Sequence, residues 1–200
     1  MQKHNHKAPG SMTTNTLSYC ALLAALSVVL ARLLIPMPNE STRFSIEAVP
    51  IFISGMLFGP VAGGLVGFAA DFIGCLFSPF GFNPLFCLPP ILYGLTAGLF
   101  RRFLAKDVSI LRLLAIFLIP VVLGSLLWQS TTLAIVYGGS KGFKASFIYY
   151  LTTRSIQFAV VTVLDVVIIY FLFQVRIFHR LGVWPPKQST KSERKFFHEC

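Results

Sequence analysis

Charge is what this sequence has least of. Asp, Glu, Lys and Arg make up only 12% of its 200 residues, about half the fraction usual in a soluble domain. At 55% hydrophobic and a mean hydropathy of +0.73, the chain carries more apolar surface than one aqueous core of this size can hide. Lipid is the solvent that accepts the excess. Histidine is also scarce: His4, His6, His179 and His198 all lie near the ends, so the apolar runs hold no imidazole base or metal ligand. The four cysteines, Cys20, Cys75, Cys87 and Cys200, show no paired spacing, which argues against both a disulfide framework and a zinc site. No GxxxxGK[ST], HExxH or GxSxG occurs; Gly138-Gly-Ser-Lys-Gly142 lacks the phosphate-loop pattern. An enzyme is therefore not expected, and neither a cofactor nor a metal. If solute is moved uphill, the energy must come from an ion or from another subunit.

The net charge of +10 would suit nucleic acid, but nearly all the basic residues sit between or outside the apolar runs, where they serve as topology signals. Six runs qualify as helical spans, because backbone groups in lipid must be satisfied internally. They are Leu17 to Ile35, Ile46 to Phe58, Val61 to Phe77, Leu85 to Phe100, about Ile110 to Tyr137 and about Ser146 to Phe173. The second is short and contains Pro50, and Gly59-Pro60 turns it tightly into the third. An all-α membrane domain over residues 17–178 is predicted, with a polar tail at 1–16 and a basic tail at 179–200 that is attracted to anionic lipid. No cleavable signal peptide is read in the first run. With both termini cytoplasmic, the inner side collects Lys3, Lys7, Arg101, Arg102, Lys106, Arg112 and the six basic residues from Arg176 to Lys195. The outer side keeps only Arg43, Lys141 and Lys144. Six spans, an even number, make that orientation self-consistent.

Two arginines lie inside spans. A guanidinium at mid-span costs about 2.5–3.5 kcal/mol or more, so it usually faces a cavity or a partner. Arg32, near the outer end of the first helix, can snorkel to headgroups or face such a cavity. Arg154 lies some 12 Å into the sixth helix at 1.5 Å per residue, too deep for comfortable snorkelling. Gln157 shares its face. Glu47 begins the second helix, Asp71 is past the middle of the third, and Trp128-Gln-Ser-Thr-Thr132 brings polar groups to the outer part of the fifth. Asp165, in the inner half, reads as a structural partner of nearby polar groups. Phe44, Phe80, Phe82, Trp128, Tyr137, Tyr149 and Tyr150 fringe the outer layer, either as an interfacial belt or as stacking faces for a planar anionic ligand. Small residues recur at every fourth position in Gly59/Gly63/Gly67 and Gly94/Gly98, and more weakly in Ala21/Ala25, the pattern that lets helix backbones approach closely.

Four stretches carry a resemblance: Ala21-Leu-Leu-Ala-Ala-Leu-Ser-Val-Val-Leu-Ala-Arg32, Arg43-Phe-Ser-Ile-Glu-Ala-Val-Pro-Ile51, Gly55-Met-Leu-Phe-Gly-Pro-Val-Ala-Gly63 and Ala70-Asp-Phe-Ile-Gly74. Over residues 17 to 175 the chain resembles the substrate-binding S components of energy-coupling factor (ECF) vitamin transporters. Leu127-Trp128, Tyr137-Gly138 and Thr153-Arg-Ser-Ile-Gln157 look most like the folate-specific branch. The resemblance implies a six-helix bundle in a bacterial cell membrane, with an outward-open pocket for folate. It also implies partnership with a transmembrane coupling subunit and two cytoplasmic ATPases. Ala21 and Ala25 then become the coupling-subunit docking surface. The substrate-binding candidates are Arg32, Arg43, Phe44, Glu47, Phe82, Asn83, Trp128, Tyr137, Arg154 and Gln157. Arginine would pair the glutamate carboxylates, aromatics would stack on the pterin, and an acid such as Glu47 would accept from its amino edge. Leu88-Pro89-Pro90 departs from the uninterrupted fourth helix that the family leads one to expect. Alternatives are another vitamin on the same fold (pantothenate, a pyridoxine-type ring or a thiamine precursor) or an autonomous ion-coupled carrier using Asp71.

Overall fold

The computed structural model describes residues 14–32, 35–36, 43–44, 46–77, 83–106, 108–137 and 142–175. Among them the chain is helical apart from one two-residue antiparallel ladder, β1 (Ile35–Pro36) with β2 (Arg43–Phe44). The helices are α1 (Thr14–Arg32), α2 (Ala48–Phe58), α3 (Pro60–Leu76), α4 (Leu88–Leu99), the short α5 (Arg101–Lys106), α6 (Ile110–Pro120), α7 (Gln129–Tyr137) and α8 (Phe143–Gln174). A π-helical segment, Val121–Trp128, joins α6 to α7 without a break, so 110–137 is one long rod. Side chains point outward in quantity: Leu22, Leu26, Val61, Leu65, Leu111, Ile135, Ile156 and Phe171 are all exposed, the distribution expected of a lipid-facing surface.

Among the described residues, three helices are long and apolar enough to cross a membrane: Thr14–Ala31, Ile110–Val136 and Phe143–Gln174. The apolar helices at the second, third and fourth predicted spans are shorter. α2, with 11 residues, rises only about 16 Å, roughly half of a ~30 Å hydrocarbon core. Its start is tied to α1, where the Glu47 carbonyl accepts a 2.8 Å hydrogen bond from Ser27 Oγ.

α2, α3 and α4 form the tightest part of the molecule. A side-chain carbon at Gly63 or at Gly55 would run into the Gly94 carbonyl, one at Gly94 into the Gly63 carbonyl, one at Gly67 into the Pro90 carbonyl, and one at Gly98 into Pro60. The fourfold glycine spacing thus does what the sequence suggests: it brings backbones together inside the bundle. Gly59 makes the turn between α2 and α3 at φ 102°, where only glycine is unstrained. Ten consecutive residues of α2, from Ala48 to Leu57, are buried, which explains an apolar run with no polar face. Phe52 stacks at a tilt on Phe117, which in turn meets Tyr93, so this core extends from α2 through α6 to α4.

The prolines of the fourth span fall where they do least harm. A 3₁₀ turn (Pro84–Phe86) comes first, and α4 then opens at Leu88 with Pro89 and Pro90 in its first turn, where the missing N–H groups would be unbonded anyway. In the fifth span Pro120 lacks an N–H to give back to the helix, and the backbone widens into the π segment directly after it. Gly124 in that segment lets it rest on Pro89 of α4.

Candidate functional site

The buried face of α8 carries a polar series through an otherwise apolar helix: Arg154, Gln157, Thr162 and Asp165. Arg154 is 8% exposed. Its Nη2 donates to Gln129 Oε1 at 2.8 Å, and its guanidinium carbon lies 5.2 Å from the centre of the Phe158 ring. Its Nε meets no acceptor, and among the described residues it forms no ion pair. A guanidinium so placed has a full positive charge, one amide and one ring face, but no counter-anion.

Opposite α8, the π segment and the start of α7 contribute Ser125, Gln129, Ser130 and Thr132. The widened turn gives the rod a register that an unbroken α-helix lacks. Ser125 shares a 3.1 Å hydrogen bond with Tyr93 of α4. Tyr93 lies within electrostatic reach of Asp165 and Glu47, and of Arg154 further along α8. Glu47, half-buried, also acts electrostatically on Asp165. Higher up, Trp128 Nε1 donates to the Leu85 carbonyl at 2.8 Å, which ties the π segment to the turn before α4.

Of the residues singled out by the sequence, Arg154 and Gln157 are buried on one face of α8, and Glu47 acts electrostatically on Tyr93 and Asp165. Trp128 is 40% exposed and holds the loop. Asn83 accepts from the Leu85 N–H at 3.1 Å, a local turn contact. Arg32 closes α1, Arg43 and Phe44 form β2, and Tyr137 ends α7. Phe82 lies outside the described residues. Ala21 and Ala25 are exposed one turn apart on α1, whose opposite face buries Cys20, Ala24 and Ser27. Asp71 accepts from the Cys87 thiol at 2.7 Å, with Cys75 Sγ 3.9 Å from the same oxygen, a contact joining α3 to the start of α4.

Sequence reasoning passed over Gln129 as an individual residue, and over Tyr93, Ser125 and Thr162 altogether. Hydroxyl residues in helices are usually satisfied by the carbonyl one turn back, so nothing in a single sequence distinguishes one that faces a site. Asp165, expected to be a structural partner, instead has an Oδ1 with no hydrogen bond.

Residues 11–174 match the family model described as "ECF-type riboflavin transporter, S component". The chain is 31% identical over 147 residues to the folate transporter FolT of Clostridium novyi (strain NT), covering 73% of this chain and 83% of that one. Among solved structures, FolT bound with folic acid superposes with a TM-score of 0.66 at 24% identity, over 80% of this chain and 93% of the other. ThiT from Listeria monocytogenes gives 0.59 at 16% identity (80% and 94%), and an S component for biotin from an ECF-type ABC transporter gives 0.53 at 22% (82% and 95%). Three proteins whose names point to different ligands thus share this arrangement of helices, and the ligand must be argued from the side chains.

Proposed function

Because this chain belongs to the S components of ECF-type transporters, multi-pass bacterial membrane proteins that bind and transport rather than catalyse, we propose that it takes up folate or a reduced folate. In this reading six helices cross the membrane with both termini cytoplasmic, and the vitamin enters the bundle from outside. The exposed Ala21/Ala25 stripe docks a transmembrane coupling subunit that two ATPases drive. The observation that carries the ligand assignment is the buried Arg154, held by Gln129 and Phe158 with no carboxylate partner among the described residues.

Riboflavin, named in the description of the family model, is the specific competitor. Its isoalloxazine ring and ribityl chain carry no negative charge at neutral pH, so it would leave the guanidinium desolvated and uncompensated. Folate brings two carboxylates, which a guanidinium fork matches in shape as well as charge, and a flat heteroaromatic ring for the aromatic fringe. The sequence relative over most of the chain also bears the folate name. Purification with the native ligand in place, followed by mass spectrometry, tests this directly. A folate recovered at near one per protein is the expected result. Recovery of riboflavin, or titration showing riboflavin bound more tightly than folate, would overturn the assignment.

A further inference from the structure

The sequence holds another buried carboxylate that the proposed ligand contacts leave unused. Asp165 is 1% exposed, and its Oδ1 receives no hydrogen bond. One turn earlier, on the same buried side of α8, the Thr162 hydroxyl is equally buried and equally without a partner. That is unusual for this chain. Thr96, Thr131, Thr132, Thr152 and Thr153 all donate to the carbonyl one turn back. An intramembrane carboxylate is costly without a partner, and the charged group acting on Asp165 is Glu47, of the same sign. Arg154 is engaged by Gln129 and lies eleven residues away. Among the described residues, then, neither the Asp165 Oδ1 nor the Thr162 hydroxyl has a hydrogen-bond partner.

We infer that Asp165 and Thr162 form an inner subsite for the donor edge of a fused-ring pyrimidine, the 2-amino and ring N–H groups of a pterin. The inference rests on the folate reading and extends it to the other end of the ligand. Eleven residues are just over three full helical turns, so Arg154 and Asp165 lie on one face with a rise of about 16 Å between them. An extended pteroylglutamate has carboxylates at one end and paired N–H donors at the other, a separation of that order. The two N–H groups run parallel, the geometry a carboxylate accepts with both oxygens, and the threonine hydroxyl can serve the neighbouring ring atom. The pattern of charges then becomes intelligible: a cation where the ligand is anionic, and an acceptor pair where it is a neutral donor.

The test compares Asp165→Asn with the parent protein in detergent, measuring Kd for folate and two fragments. Pteroate lacks the glutamate, and p-aminobenzoylglutamate lacks the pterin. An asparagine accepts with one oxygen but turns an NH₂ against the second N–H. Folate and pteroate should therefore weaken about ten- to hundredfold, with p-aminobenzoylglutamate unchanged. Thr162→Val, which removes only the hydroxyl, should weaken pteroate severalfold and spare p-aminobenzoylglutamate, and it stands in if the Asp165 variant does not fold. Equal losses for all three ligands, or no loss for pteroate, would overturn the subsite while the folate assignment stands. A parent protein that binds neither folate nor pteroate would remove both.

Discussion

A desolvated guanidinium with a single amide partner is stable only if something else in its surroundings pays for the lost water. At Arg154 the protein provides Gln129 and the Phe158 face, and the proposed ligand provides the anion. Arg154→Ala should accordingly weaken folate binding by about 2–5 kcal/mol, as loss of one partner from a buried charge pair does. Arg154→Lys should recover only part of it, because an ammonium cannot form the two-bond fork. Isothermal calorimetry on detergent-solubilised protein measures both; an unchanged dissociation constant in a folded alanine variant would refute the pairing. Arg154 was legible in the sequence because one cation in a long apolar run stands out. Tyr93 and Ser125 were not, since each is unremarkable in its own helix and only their 3.1 Å contact reveals them.

At the level of elements, glycines decide how close α3 and α4 come. Adding one methyl group at Gly94 would drive it into the Gly63 backbone, whereas the same group at Gly74 would meet nothing within 4 Å. Gly94→Ala should therefore lower the thermal unfolding midpoint, with an overpacking cost of about 1–3 kcal/mol, while Gly74→Ala should leave it near the parent value. Equal midpoints for the two variants would mean that the close approach does not contribute to stability. The glycine spacing could be read from the chain, but the pairing of Gly63 with Gly94 rather than with another stripe could not. The π segment after Pro120 was likewise invisible as such: a proline predicts disturbance of the helix, but not which way the backbone relaxes.

For the whole molecule, the strong bias of basic residues predicts that both termini are cytoplasmic and that Lys141 and Lys144 face outside. Single cysteines at Lys141 and Lys187, in a background free of the four native cysteines, can be treated with an impermeant thiol reagent in intact cells. Labelling at Lys141 alone is expected; labelling at Lys187 alone would reverse the topology. Ala21 and Ala25 are exposed on α1, toward the end opposite Arg32. Ala21→Trp with Ala25→Trp should then keep ligand affinity in detergent and abolish uptake in cells that contain the coupling subunit and ATPases. An ion-coupled carrier would behave otherwise: the lone protein in liposomes would accumulate folate under a sodium or proton gradient, and Asp71→Asn would stop it. Such accumulation would overturn the proposed division of labour.

By itself, the sequence determined the solvent, the helical character and the position of the helices. Those follow from local quantities, namely the length of apolar runs, the placement of Gly and Pro, and the cost of an unbonded backbone in lipid. It also singled out Arg154, Gln157 and Glu47, because a charge or amide in an apolar run is conspicuous without any partner in view. The tertiary structure decided that α2 is short enough to rise only about 16 Å, that the Glu47 carbonyl meets Ser27 of α1, and that Gln129 answers Arg154 while, among the described residues, Asp165 Oδ1 and the Thr162 hydroxyl have no hydrogen-bond partner. Those outcomes depend on the distance between groups that lie far apart in the chain, and pattern along a single chain does not contain that distance.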